Sequence, residues 1–288
     1  MTPKLVFDPS SGAMNYACGV SGSGTNYDKI YEGDPQKKHV VFSNVPGCAG
    51  MVKARNYGAQ AISLDSAIYF KEMWGFDKVP RHGVERNSYD MAIMTLVEQS
   101  LDGQPDLLCL AGYDLWIGDW MVKRYYPRIL NVHPADARKY TGLGWIPTAK
   151  AILAEEKSVK STVFFVDQSD DGGPILIQSA SLPLSRWDDE LREARRFAEK
   201  TGARTLKDFR EAAQREGNNL YESLKVVSSS VQETLKVEGD WKIYPFAVHE
   251  FIAKGRVALD GRIVYIDGVQ MPAEGWQVDQ YGFADNIR

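Results

Sequence analysis

Leu107-Leu-Cys-Leu-Ala-Gly112 carries no polar side chain, and this run constrains the possible folds more than any other part of the chain. A short run that is apolar throughout, without polar alternation, reads as a strand covered on both faces. Such strands belong to parallel sheets with helices on each side. The flanking sequence repeats the theme. Met14-Asn-Tyr-Ala-Cys-Gly-Val20 and the valine-rich stretch from His39 to Ser43 read as buried strands, and Gln60 to Leu64 as a shorter one. Helices are expected over Tyr27 to Glu32, Ala49 to Asn56 and Val84 to Ser100. Arg128-Ile-Leu-Asn-Val-His133 reads as a further strand ending at Pro134, followed by a helix near Pro147 to Ala154. Ser161 to Asp167 and Pro174 to Ser181 read as two strands joined by Gln168-Ser-Asp-Asp-Gly-Gly173. Strands alternating with helices predict an α/β fold: an open, mostly parallel twisted sheet flanked by helices, Rossmann-like in class.

Four segments follow from this pattern. Residues 1–13, with Pro3, Pro9 and Gly12, read as an irregular N-terminal extension, and residues 14–186 as the core. Residues 187–239 change character: they are rich in Glu, Arg, Lys and Ala, with Leu191, Phe197, Leu206 and Phe209 at roughly helical spacing. Two or three amphipathic helices packed on the edge of the domain are expected there. Residues 240–288 complete the domain with a helix from Tyr244 to Ala253 and a hairpin, Arg256 to Asp260 and Arg262 to Ile266, turning at Asp260-Gly261.

With 288 residues, 44% of them hydrophobic, the chain has material for a sizeable core. A net charge of -4 argues against nucleic acid as the main partner. Cys18, Cys48 and Cys109 are unclustered and odd in number, which fits buried reduced thiols better than a disulfide framework or a zinc site. No segment has the length of a membrane span or the layout of a secretion signal, so a cytoplasmic protein without a membrane partner is expected.

Three short motifs could carry chemistry. Ser21-Gly-Ser-Gly-Thr-Asn26 joins a strand to a helix, where backbone N–H groups and the positive helix end can meet an anion. Gly24 lets the backbone come close, while Thr25 and Asn26 add side-chain hydrogen bonds; the plain alternative is a tight turn with Thr25 as helix cap. In Asn131-Val-His133, strand alternation puts an amide and an imidazole on one face at the carboxyl end of the sheet. An amide can donate to an oxyanion, and an imidazole holds or moves a proton near neutral pH. Asp171-Gly-Gly173 offers a carboxylate beside Asp170, a crowding that raises a carboxyl pKa, and the glycines impose an unusual backbone path. Metal-ligand spacing and a serine-nucleophile elbow are both missing from the sequence, so no metal is expected.

Taken in order, these motifs resemble the folate-dependent formyltransferases, the glycinamide ribonucleotide formyltransferase branch in particular. The resemblance rests on Met14 to Asn26, Leu110-Ala-Gly-Tyr113, Arg128 to Pro134, Lys139-Tyr-Thr-Gly-Leu143, Thr162 to Val166 and Asp171 to Gln178. It continues through Ile243-Tyr-Pro245 and Asp267 to Pro272, interrupted mainly between Trp187 and Gly239. It implies that 10-formyltetrahydrofolate is the cosubstrate, without a metal, and that a phosphorylated small-molecule amine is the acceptor. By position it makes Asn131, His133 and Asp171 the catalytic residues. Gly24, Thr25, Asn26, Pro134 and Asp240 fall on the acceptor side. Asp114, Leu115, Trp116 and Ile117, with Asp167, Gln168, Ser169 and Asp170, fall around the pterin.

Some positions depart from the family pattern. Leu115 stands in place of an arginine and Phe164 in place of a histidine, and Ala135 to Arg138 and Gly144 to Pro147 are altered loops. The implied reaction has the acceptor amine attack the formyl carbon while Asn131 and His133 stabilise the oxyanion and Asp171 orients His133. Formyl transfer to another amine, such as an amino sugar nucleotide, and hydrolysis of the same cosubstrate are the enzymatic alternatives. The hydrolases carry a leading regulatory domain for which thirteen residues leave no room. A folate- or nucleotide-binding regulator is the non-enzymatic one. The sequence leaves open whether the insertion at 187–239 forms a homodimer contact or lengthens one side of the acceptor cleft.

Overall fold

The computed structural model describes residues 2–169 and 172–283. The chain begins with a short strand, β1 (Lys4–Leu5), and then alternates β2 (Tyr16–Val20), α1 (Thr25–Gly33), β3 (His39–Ser43), α2 (Ala49–Asn56), β4 (Gln60–Ser63), α3 (Ser66–Trp74) and α4 (Val84–Leu101). It continues through β5 (Leu107–Leu110), α5 (Asp119–Tyr125), β6 (Ile129–His133), α6 (Ile146–Leu153), β7 (Ser158–Val159), β8 (Thr162–Phe165), β9 (Ile175–Gln178) and β10 (Leu182–Pro183). Three helices follow: α7 (Asp188–Thr201), α8 (Leu206–Glu216) and α9 (Leu220–Leu235). Then come α10 (Trp241–Phe246), the hairpin strands β11 (Val257–Asp260) and β12 (Ile263–Ile266), β13 (Val269–Gln270) and β14 (Trp276–Gln277).

The main sheet has eight strands in the order β14-β9-β8-β6-β5-β2-β3-β4. β4, β3, β2, β5 and β6 are parallel, and β8 is antiparallel to both β6 and β9. The expected α/β class is therefore what forms. All four residues of β5 are buried, as its apolar run requires. Because β3 and β5 flank β2 on opposite sides, the strand order reverses there. In open α/β sheets a crevice forms beyond the carboxyl ends at such a reversal.

Cys18 on β2 sits in register with Cys109 on β5, and both thiols are free and buried. Cys48 is free but only half-buried, because it lies at the turn into α2.

Three expectations need correction. The hairpin turns at Gly261–Arg262 rather than at Asp260-Gly261, because Asp260 still pairs with Ile263. The N-terminal segment is not an irregular extension: β1 pairs antiparallel with β11, and Val6 and Phe7 are buried in the main core. No hydrophobic period in so short a stretch announces that pairing. The boundary between 239 and 240 falls inside one helical run from Leu220 to Ile252, formed by α9, π-type turns at Lys236–Asp240, α10 and further π-type turns at Ala247–Ile252. Pro245 lies within it and lacks the N–H an α-turn would use, and π-type turns adjoin it on either side of α10. Three helices were not expected, one of them the four-residue α11 (Val278–Tyr281). Asp65 accepts the Ile68 N–H at 3.0 Å to cap α3, a start signal present in the sequence. α5 has only seven residues, too few for a period to show.

The helices of the insertion build a core of their own. Leu191, Ala194, Phe197 and Ala198 of α7 and Leu224, Ser228, Val231 and Leu235 of α9 are buried at helical spacing. They close with α8 over Ala149, Ile152 and Leu153 of α6. The Phe197 and Phe209 rings meet edge to face at 5.2 Å. Phe209→Ala is expected to lower stability by about 3–5 kcal/mol, measured by urea unfolding. A loss under about 1 kcal/mol would show that the site collapses to fill the gap.

Candidate active site

β2 runs directly into Ser21, which ties three loops together. Its N–H donates to the Gly112 carbonyl at 2.9 Å. Its hydroxyl donates to the Asn44 amide oxygen at 2.6 Å and accepts the Asp114 N–H at 2.9 Å. The ends of β2, β3 and β5 are thereby held in one place. Gly24 follows in the left-handed region at φ 66°, and a Cβ on it would stand 2.5 Å from the Gly50 Cα. Glycine is required there for both reasons. Gly24 also occupies the cap position of α1, so Thr25 is the first residue of the helix rather than its cap.

Asn26, in the first turn of α1, and Asp240, at the end of the first π-type segment, are both buried. Burial pushes the Asp240 carboxyl up to about 6, against the pull of the Ser161 hydroxyl and the Asn26 amide. Ser161 Oγ donates to Asp240 Oδ1 at 2.5 Å. The Asn26 amide oxygen has no hydrogen-bond partner among the described residues. Two residues expected on the acceptor side, 214 positions apart by numbering, thus meet directly, and Ser161, which the sequence did not single out, bonds the same carboxylate.

A cavity of about 600 Å³ opens at Asp114, the residue whose N–H the Ser21 hydroxyl accepts. Asp114, Leu115, Trp116 and Ile117 form one wall and Asp167, Gln168 and Ser169 another, with Asn131 and Phe164 also on its surface. Gly24, Thr25, Asn26, His133, Pro134 and Asp240 are not part of this lining. The Asn131 amide oxygen accepts the Val132 N–H at 2.9 Å, so the donor capacity of the amide lies on Nδ2.

His133 was expected to emerge beside Asn131, yet it is buried. The chain beyond Pro134 folds back over it, and the Tyr140 carbonyl lies 2.6 Å from Nε2. Since a carbonyl only accepts, Nε2 carries the proton. Asp170 and Asp171 lie outside the described residues, and with them the expected crowding of their carboxylates. The glycine requirement just beyond is visible: a Cβ on Gly173 would stand 1.8 Å from the Phe165 carbonyl oxygen. Close approach to β8 imposes it.

The cavity also includes residues that sequence reasoning missed. Arg81 and His82 reach it from the loop between α3 and α4, and the Arg81 guanidinium stacks over Trp116 at 4.0 Å. That loop has no period, and two basic residues before a glycine give no signal of their own. Behind the wall, the buried pair Arg86–Asp90 spans one turn of α4, and Asp90 accepts the Gly118 N–H at 2.5 Å. This bond pins the end of the 114–117 segment. Among the described residues, no group of His, Cys, Asp and Glu is placed to hold a metal ion, and no helix is long and apolar enough to cross a membrane.

The fold defines an α/β protein with a cavity at the carboxyl ends of β5 and β6, where open sheets of this kind take their ligands. A sequence model of the formyl transferase family matches residues 14–205, and the chain belongs to that family. Phosphoribosylglycinamide formyltransferase of Haemophilus influenzae is 25% identical over 262 residues, covering 89% of this chain and 95% of the relative. The Escherichia coli protein of the same name is 24% identical over 272 residues, covering 93% and 100%. Among solved structures, phosphoribosylglycinamide formyltransferase from Coxiella burnetii superposes with a TM-score of 0.62 at 20% identity, over 92% of this chain and 99% of that one. Glycinamide ribonucleotide transformylase 1 from Symbiobacterium toebii gives 0.61 at 25%, over 88% and 94%. The family implies a folate-derived cosubstrate.

The raised Asp240 pKa has a consequence for stability. Between its unfolded value of 3.8 and its folded value of about 6, the native state holds the proton more tightly. That contribution is complete below pH 3.8 and fades as pH rises through 6. Asp240→Asn should remove a pH-dependent loss on the order of 3 kcal/mol, at 1.36 kcal/mol per pKa unit. The difference in urea midpoints between the two proteins, followed from pH 4 to 7, measures it.

Proposed function

We propose that this chain transfers the formyl group of 10-formyltetrahydrofolate to the amine of glycinamide ribonucleotide, as a cytoplasmic enzyme. The observation that carries this reading is the Ser21 hydroxyl. Through it, the glycine turn suited to a phosphate is bonded to Asp114, the first residue of the cavity wall suited to a pterin. A reaction between two bound molecules needs the two half-sites at a fixed separation. Relatives matched over nearly their whole length, both named phosphoribosylglycinamide formyltransferase, support the choice of acceptor.

The cavity fits a folate in size and lining. Pockets for ligands of that size run to roughly 300–1,000 Å³, mostly apolar with a few placed polar groups. Here Leu110, Leu115, Ile117, Val122, Phe164 and Val166 supply apolar surface, and Asn131 is among the polar groups. The cosubstrate, when bound, supplies a formyl carbon activated toward an amine. On this reading Asn131 Nδ2 donates to the oxygen that gains charge as the amine attacks, a contribution of about 3–4 kcal/mol. His133, its tautomer set by Tyr140, holds the proton balance behind Asn131, and Asp171 is its carboxylate partner by resemblance. Arg81 offers positive charge to the carboxylates of the folate tail, a service that Leu115 cannot give.

Tetrahydrofolate release, followed with and without glycinamide ribonucleotide, tests the proposal. Release that depends on this amine is the expected result. Release without any amine would favour hydrolysis, and none with it would discard the acceptor. His133→Ala should cut kcat by about 10²–10⁴-fold and leave the Kd for folate within about twofold. Near-normal turnover in that variant would take His133 out of the chemistry. Arg81→Ala should raise the KM for 10-formyltetrahydrofolate by about fivefold to tenfold, the scale of a partly exposed cationic contact.

A further inference from the structure

We infer that Arg262 is a positioning residue that holds the cavity wall at Asp167, Gln168 and Ser169 in register for binding; this deepens the reading of the cavity as the folate site. Arg262 belongs to the Gly261–Arg262 turn between β11 and β12, far along the chain from that wall. Its guanidinium crosses to the wall and forks. Nη1 donates to Asp167 Oδ2, and Nη2 donates to the Gly172 carbonyl. Asp167 uses its other oxygen on its own loop, accepting the Ser169 N–H at 2.9 Å and the Ser169 hydroxyl. One carboxylate thus shapes the turn of the wall and fastens it to the hairpin.

The need for a fastening is visible in the surroundings of the wall. The main cavity lies against Gln168 and Ser169. A second hollow of about 480 Å³ is lined by the same residues, together with Val122, Lys123, Tyr126 and the Gly261–Arg262 turn. Gln168 and Ser169 are exposed, so packing does not hold the wall, and directional hydrogen bonds must. The hairpin is a firm base for them. Val257, Leu259, Val264 and Ile266 are buried in the main core, and Tyr126 donates its hydroxyl to the Gly261 carbonyl at 2.8 Å.

The Arg262 side chain is 58% exposed, so replacing it leaves no cavity in the core. A planar fork reaching two acceptors is also something lysine reproduces only in part.

The test compares wild type, Arg262→Ala and Arg262→Lys. Arg262→Ala should raise the KM for 10-formyltetrahydrofolate by about tenfold, the cost of a reacting partner held loosely. The KM for glycinamide ribonucleotide and the Tm should stay at wild-type values, and Arg262→Lys should recover part of the loss. In the ligand-free proteins, amide hydrogen exchange over residues 166–169 should quicken by about tenfold in Arg262→Ala, while Thr25–Gly33 is unchanged. Equal exchange in wild type and Arg262→Ala would overturn the inference. So would a parallel rise in both KM values with a fallen Tm, the mark of a general structural role. If wild type transfers no formyl group, the functional reading fails, and the exchange measurement still decides the role of Arg262.

Discussion

The Ser21 hydroxyl stands at the reversal of strand order, and the geometry of the whole site depends on what it holds. Strands β2, β3 and β5 end side by side there, and their loops leave in different directions. A hydroxyl that donates to Asn44 and accepts from Asp114 sets the spacing of all three. Bonds of this kind contribute only about 1 kcal/mol each to net stability, yet an unmet partner buried at the same spot costs more. Their value here is directional. They fix the glycine turn ahead of α1 relative to the wall that begins at Asp114, and Asn131 enters from β6 two strands away.

A second set of contacts extends that frame. The insertion does not merely decorate the edge of the sheet. Its three helices close over α6, and its last helix continues without a break into the segment that carries Asp240. A buried carboxylate raised toward 6 therefore sits where the appended core and the sheet meet, bonded to Ser161 just ahead of β8. The helical run couples the packing of the insertion to the position of one polar group beside α1. The C-terminal hairpin acts elsewhere, where Arg262 reaches the wall at Asp167.

Charge is placed at the cavity by residues from separate loops. Asp114, Asp119 and Asp167 line it together with Arg81 and His82, and the guanidinium of Arg81 is kept in place by the Trp116 ring. The positive side is supplied by the segment before α4, whereas the family pattern would put an arginine at position 115.

The α/β class, most of the helices and the central strands were legible in the sequence, because burial on both faces leaves an unbroken apolar run and helix packing leaves a period. The two walls of the cavity were legible through resemblance at Asp114 to Ile117 and Asp167 to Ser169, since loops at the carboxyl edge keep their place in chain order. The pairing of β1 with β11, the meeting of Asn26 with Asp240, the cover over His133 and the reach of Arg262 were decided only by the tertiary structure. Each joins segments remote in the chain through one or two directional bonds, and such bonds impose no period on the residues around them. Local pattern records which face of an element is buried; it does not record what that face is buried against.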